Sequence, residues 1–142
     1  MERSLIFVKP DAVEKGYAGA ILARLEKEGL KLVALKMLQM PRSLAERHYS
    51  VHADKPFFPG LVKYITSGPI VAGIFEGDNT VSRIRAIMGK TDPAKAEPGT
   101  IRREFGTDIE KNAIHGSDSV ETAEKEIALF FAGSEIVNYQ RK

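Results

Sequence analysis

Ile70-Val-Ala-Gly-Ile-Phe-Glu76 decides the architecture. Every residue before Glu76 is apolar or glycine, and Gly68-Pro69 punctuates its start. A short apolar run bounded by turn residues reads as a central strand. Upstream, Leu30–Met40 sets Leu30, Leu32 and Ala34 against Val33, Leu35 and Met37, the alternation of a second strand, and Pro41 ends it. Ser4–Lys9 is a third, ended by Pro10, which has no N–H for a ladder. Downstream, Asn112–His115 is a short strand or strand end.

Helical segments lie between them. Gly19–Glu28 carries Ile21, Leu22 and Leu25 on one face and stops at Gly29. Ser43 and Glu46 form a capping box for a helix reaching Ser50. Pro59–Ser67 and Thr80–Met88 follow, the latter capped by Gly89. Thr100–Phe105 is one helical turn, and Ser119–Phe131 is a helix with Val120, Ala123, Ile127, Phe130 and Phe131 inward. The order β-α-β-(α-α)-β-α-β-α points to an α+β or split βαβ sandwich. Periodicity alone also leaves a small doubly wound α/β sheet open.

The 142 residues suit one domain, 1–142, large enough for a core without staples. The formal net charge of +2 is modest, and 43% apolar with 28% charged residues excludes wholesale disorder. The absence of cysteine excludes a disulfide framework, a zinc knuckle and a thiol nucleophile. No apolar run approaches the ~20 residues of a membrane span, and Leu5–Val8 is too short for a secretory signal. A cytoplasmic location is the expectation.

Gly89-Lys90-Thr91 imitates the tail of a phosphate loop, but the leading glycine would have to stand at Ile84. A helix cap running into a loop is the better reading. Gly16–Gly19 imitates a nucleic-acid clamp over too few residues, and reads as a strand-to-helix turn. His48, on a short polar helix, reads as a solvated surface residue; His52 lies in a Pro-rich aromatic loop. His115 differs, because Gly116 follows it and a helix N-terminus stands just beyond, favourable to an anion. That imidazole can be base, ligand, nucleophile or simply a cap. Metal binding by side chains looks weak: there is no cysteine and no D-x-D-x-D-G loop, and although His48 and His52 are four apart, Pro56 and the composition between them argue against a long ligand-bearing helix. Lys9 at a strand end, Arg85 at the edge of an apolar helix face and Arg102 after the Pro/Gly loop can converge on an anion, with Thr91 adding a hydroxyl.

These residues carry a resemblance. Phe7–Val13 (FVKPDAV), Tyr49–Ala72, Glu76-Gly77, Met88–Arg102 (MGKTDPAKAEPGTIR) and Asn112–Ser119 (NAIHGSDS) resemble nucleoside diphosphate kinases, in order and over essentially the whole chain. The octet matches that family's active-site signature. The resemblance implies a ferredoxin-like α/β sandwich with a four-stranded antiparallel sheet. It implies ping-pong transfer of a γ-phosphoryl group, usually from ATP, to any nucleoside diphosphate through a phosphohistidine, with Mg²⁺ on the nucleotide phosphates.

On that resemblance His115 attacks phosphorus through Nδ1, and Glu126 holds the other nitrogen. Periodicity does not select Glu126, because Glu124 and Glu126 flank the apolar face on opposite sides. Ser117 joins the network, Asp118 reaches Mg²⁺ through water, and Tyr49 stands near the histidine. Arg85, Arg102, Thr91 and His52 hold the phosphates, while Lys9 and Asn112 grip the ribose and bridge toward the transferred group. Gly116 belongs to the nucleotide site. Phe57 and Leu61 form an apolar slot, the base stacking on Phe57, with Ile109 opposite where the family usually has Val. Phe75 stands where Trp is common. Stacking uses a face every base has, so broad base tolerance follows. The Lys90–Pro98 loop resembles a subunit contact and implies a homo-oligomer; the short tail after Ser134 is of bacterial type and leaves tetramer or hexamer open. Two other readings are a nucleic-acid module, disfavoured by the modest charge and the lack of an RNP-type aromatic motif, and an inactive scaffold, disfavoured by the intact octet.

Overall fold

A computed structural model describes the chain from Met1 to Lys142. The strands are β1 (Glu2–Val8), β2 (Lys31–Gln39), β3 (Pro69–Gly77) and β4 (Ile114–Gly116). The helices are α1 (Pro10–Glu14), α2 (Ala18–Lys27), α3 (Arg42–His48), α4 (Phe58–Ile65), α5 (Thr80–Met88), α6 (Ile101–Phe105) and α7 (Val120–Phe130). The four strands lie in the order β2-β3-β1-β4, and every neighbouring pair is antiparallel. That arrangement is the ferredoxin-like sandwich and rules out a doubly wound parallel sheet.

Both faces of the sheet are covered, which is why its central strands read as continuous apolar runs. Leu5, Phe7, Ile70, Ala72 and Ile74 face a layer holding Ala45 of α3, Val62 and Ile65 of α4 and Phe130 of α7. Ile6, Val8, Val71 and Phe75 face the opposite layer, with Ile21 and Leu25 of α2 and Ile84 and Met88 of α5. Each large side chain so buried contributes about 1.5–3 kcal/mol. Phe75 is fully buried.

Local structure departs from the sequence reading in several places, and Val120, expected inward at the start of α7, is 48% exposed. A bulge between Leu32 and Ala34 breaks the alternation of β2, so Val33 and Ala34 are both buried while Leu35 and Met37 are 49% and 63% exposed. Pro10 ends the strand and also opens α1, an unforeseen helix, because its fixed φ suits a first turn. Gly16, at φ +78°, therefore turns helix into helix rather than strand into helix. The Ser43–Glu46 capping box is not made: α3 starts behind Pro41 with no side-chain cap, and Glu46 instead pairs with Arg42 at 3.5 Å.

Candidate active site

The site is built on β4 and the helix after it. Ala113 enters β4 at φ +76°, a left-handed conformation that costs a non-glycine residue energy and marks a constrained segment. His115 then pairs with Phe7 across the β1–β4 ladder. Ser119 caps α7, its hydroxyl accepting from Thr122 N at 3.0 Å. Burial of Ala123 and Phe130 fixes the rotation of α7 and presents Glu126 to the histidine.

Glu126 Oε1 lies 3.0 Å from His115 Nε2 and accepts the Ser117 hydroxyl at 2.6 Å. A carboxylate acceptor assigns the proton to Nε2 and leaves Nδ1 its lone pair. Burial by itself would raise the Glu126 carboxyl; hydrogen bonds from His115 and Ser117 and the nearby imidazoles bring it below the ordinary carboxylate value.

His48 is not a surface residue. Its side chain is 2% exposed. Its ring stands edge-on to His115 at 4.7 Å, to Phe7 at 5.3 Å and to Phe130 at 5.4 Å. Burial, aided by His115, pushes this imidazole down to about 3 and keeps it neutral. Its Nδ1 is buried without a hydrogen-bond partner, 3.6 Å from Glu126 Oε2. The signal lay in the register of α3: His48 is three residues past Ala45, the one buried residue of that helix, and so shares its face.

A cavity of about 640 Å³ opens beside these rings, bordered by His115, Glu126, His48, Tyr49, His52 and Asp118. Burial raises the Tyr49 hydroxyl, which stays protonated. Lys9, Thr91, Arg102 and Asn112 do not line this cavity and form a second group. Lys9 Nζ donates to Asn112 Oδ1 at 2.7 Å, and Asn112 Nδ2 donates to the carbonyls of Thr91 (3.0 Å) and Ile109 (3.2 Å). Lys9 N donates to Ala113 O at 2.8 Å, tying this group to the histidine strand. Arg102 is buried and donates to Ile114 O at 2.9 Å and Gly89 O at 3.3 Å. Its Nε has no partner.

The cations feel one another. Burial and then Arg85 lower Arg102 to about 10; burial and then Arg102 lower Lys9 to about 8. Positive groups held together at a cost in charge are a receptor for an anion. Arg85 is exposed and shares a smaller hollow with Asp118 and Ser119.

The apolar candidates stand apart. Phe57 is 52% exposed, with its ring 5.4 Å from that of His52, and Leu61 follows one turn along α4. Ile109 is 63% exposed. Gly116 is closely packed: a Cβ there would meet Met88 Sδ at 2.5 Å, so its smallness admits α5 against β4. Gly89, at φ +86°, is the helix cap expected of it.

The family model described as "Nucleoside diphosphate kinase" matches residues 2–136. The nucleoside diphosphate kinase of Dehalococcoides mccartyi is 58% identical over the full length of both chains. That of Archaeoglobus fulgidus is 52% identical, covering 99% of this chain and 93% of its own. Among solved structures, a Halobacterium salinarum nucleoside diphosphate kinase in complex with CDP superposes with a TM-score of 0.96 at 48% identity, covering 99% of this chain and 93% of that one. The Aquifex aeolicus enzyme gives 0.93 at 50% identity, with 96% and 99% covered.

Proposed function

The chain belongs to the nucleoside diphosphate kinase family, and from that premise we propose which of its residues carry the reaction. The reaction is ping-pong transfer of the γ-phosphoryl group of a nucleoside triphosphate to a nucleoside diphosphate through a phosphohistidine. His115 is the nucleophile. The single observation behind this assignment is the bond from His115 Nε2 to Glu126, which leaves Nδ1 free beside the cavity. Attack by Nδ1 on the γ-phosphorus forms the N–P bond and releases the diphosphate; the acceptor diphosphate then reverses the step. Imidazole is a competent nucleophile near neutral pH, and the covalent intermediate lets one site serve donor and acceptor in turn.

Phosphoryl transfer asks a protein for position and neutralised charge. Glu126, supported by Ser117, fixes the tautomer and the ring plane. Arg102, Arg85, Thr91 and His52 receive the phosphates, and Lys9 with Asn112 holds the ribose and the transferred group. Tyr49 borders the nucleophile. Phe57, Leu61 and Ile109 offer apolar surface to a base. The lowering of Lys9 by burial and Arg102, and of Arg102 by burial and Arg85, supports an anion receptor. Gly116 contributes only backbone to this site.

The family's use of a divalent metal fits the donor set. Asp118 is an exposed carboxylate at the mouth of the cavity that holds His115, an oxygen donor of the kind Mg²⁺ takes. One carboxylate cannot cage the ion, so Asp118 would hold it through water on the nucleotide phosphates, where Mg²⁺ supplies charge neutralisation.

Residues 1–142 act as one catalytic domain in a homo-oligomer, tetramer or hexamer. The exposed Leu35 and Met37 on the edge strand β2 support self-association. No helix is long and apolar enough to cross a membrane; the nucleotide substrates favour the cytoplasm.

Intact mass after brief exposure to ATP·Mg²⁺, with and without a chase by dTDP, tests the assignment. One acid-labile phosphoryl group, removed by the chase and absent in His115→Ala, is expected. No added mass while ATP still binds would leave a nucleotide-binding scaffold.

A further inference from the structure

The reading above gives no task to His48, a buried imidazole whose Nδ1 is unpartnered and aimed at Glu126. We propose that His48, Glu126 and His115 bind a borderline divalent transition metal such as Zn²⁺, and that the bound ion switches the nucleophile off.

The donors are already gathered. One ligand atom from each residue lies within 4.8 Å of the other two. His115 Nε2 is 3.0 Å from Glu126 Oε1, and His48 Nδ1 is 3.6 Å from Glu126 Oε2. A point midway along the longest separation is at most about 2.4 Å from its ends, a few tenths beyond a Zn–N bond of ~2.0–2.1 Å. Small side-chain shifts close that gap. Two imidazoles and one carboxylate with an open fourth position make a zinc donor set, and the adjoining cavity admits a water there. Imidazole nitrogen discriminates against Mg²⁺, which keeps to oxygen. The substrate metal and this ion therefore do not compete for ligands.

The consequence follows from the tautomer. The reactive ring carries its proton on Nε2 and its lone pair on Nδ1. A metal at Nε2 takes that nitrogen's lone pair, and the displaced proton, carried by solvent, ends on Nδ1. The ring keeps one proton, nothing is oxidised or reduced, and Nδ1 has no lone pair left for phosphorus. Only this kinetic consequence rests on His115 as nucleophile; the binding does not.

The test uses the full, unphosphorylated chain stripped of metal in chelator-free buffer. Co²⁺ binding is followed by its visible absorption, and Zn²⁺ binding by calorimetry. The comparison is with His48→Phe, whose ring suits the surrounding aromatics, and His48→Gln, both checked for folding by circular dichroism. One Zn²⁺ per chain is expected, with affinity lowered at least about 10-fold in each folded variant. Zn²⁺ added to the assay under excess Mg²⁺ should inhibit, and the inhibiting concentration should rise by a similar factor in the variants, each measured against its own zinc-free rate. No Zn²⁺ binding up to millimolar concentration, or equal affinity in wild type and variants, overturns the proposal. Phosphorylation of His115 without Zn²⁺ binding would sink this inference and leave the function standing. His48-dependent Zn²⁺ binding without a phosphohistidine would do the reverse.

Discussion

Phe7 and His115 are register partners across the β1–β4 ladder, and their rings stack at 4.7 Å with planes 22° apart. The fully buried Phe7 is thus both core and platform. Phe7→Leu should cost about 1–2 kcal/mol of stability, as a partial large-to-small core change. It should also slow phosphorylation by roughly 10-fold, because a freed ring loses its approach geometry. Urea denaturation and single-turnover mass spectrometry read the two effects separately. A loss of stability with an unchanged rate would confine Phe7 to packing.

Glu126→Gln keeps the size of the side chain and removes the charge. Its amide can accept from Nε2–H or donate to Nε2, and the second choice puts the proton on the attacking nitrogen. The rate of phosphohistidine formation should fall by ~10–100-fold. The folded Glu126 carboxyl lies below its unfolded value of 4.5, so its ionised form stabilises the protein above that pH, and the contribution disappears as pH falls through the folded value. The buried neutral His48 adds to acid sensitivity: the unfolded chain takes up a proton below about 6.5 that the folded chain refuses until about 3. Glu126→Gln should therefore flatten the part of the acid limb of a stability profile that lies below about pH 4.5, measured by denaturant midpoints from pH 7 to 3. An unchanged limb would mean that the carboxylate has no stabilising partner.

Arg102 and Arg85 separate structure from clamping. Arg102 is buried and holds the carbonyls of Ile114 and Gly89, whereas the Arg85 side chain is exposed and has no hydrogen bond or ion pair within the chain. Arg102→Ala should lower the melting temperature and cut the rates with ATP and GTP by similar factors, leaving two acceptors unmatched. Arg85→Ala should cut both rates and leave the melting temperature within about a degree, as an exposed change does. A base-dependent difference in either variant would show that the residue is not a phosphate ligand.

What the sequence made legible follows from what each signal encodes. Ile70–Glu76 announced a strand covered on both faces, and Thr80–Met88 with Gly89 announced a capped helix, because burial and capping are written in local residues. The doubly wound alternative fell only to the antiparallel pairings, which are long-range. His48 was misread because the composition of α3 is polar; the site needed only one face of that helix, and only packing against Phe7 and Phe130 reveals which. Glu126 was legible by resemblance alone, since Glu124 has equal claim by periodicity and the rotation of α7 is set by the core beneath it. The packing role of Gly116 was not legible, because the atom a Cβ there would crowd belongs to Met88 of α5.

Lys9 should give the reaction an alkaline limit. Burial and the neighbouring Arg102 hold its ammonium at about 8 instead of 10.5. Below that pH the lysine is charged and can bridge to a phosphate; above it the amine is neutral and the anion loses a partner. In the free protein, kcat/KM should fall as pH rises through about 8. Bound phosphates favour the charged form, so the limb in kcat should lie higher than the limb in kcat/KM. The same depression has a cost in stability: keeping the ammonium at neutral pH opposes folding, and that cost fades between about 8 and 10.5, where the unfolded chain keeps a proton the folded chain has released. Lys9→Arg substitutes a guanidinium that stays charged through this range. Whatever its absolute rate, its kcat/KM limb should move up by about one pH unit or more. A limb that stays near 8 in Lys9→Arg would assign the titration to another group and remove Lys9 from contact with the phosphates.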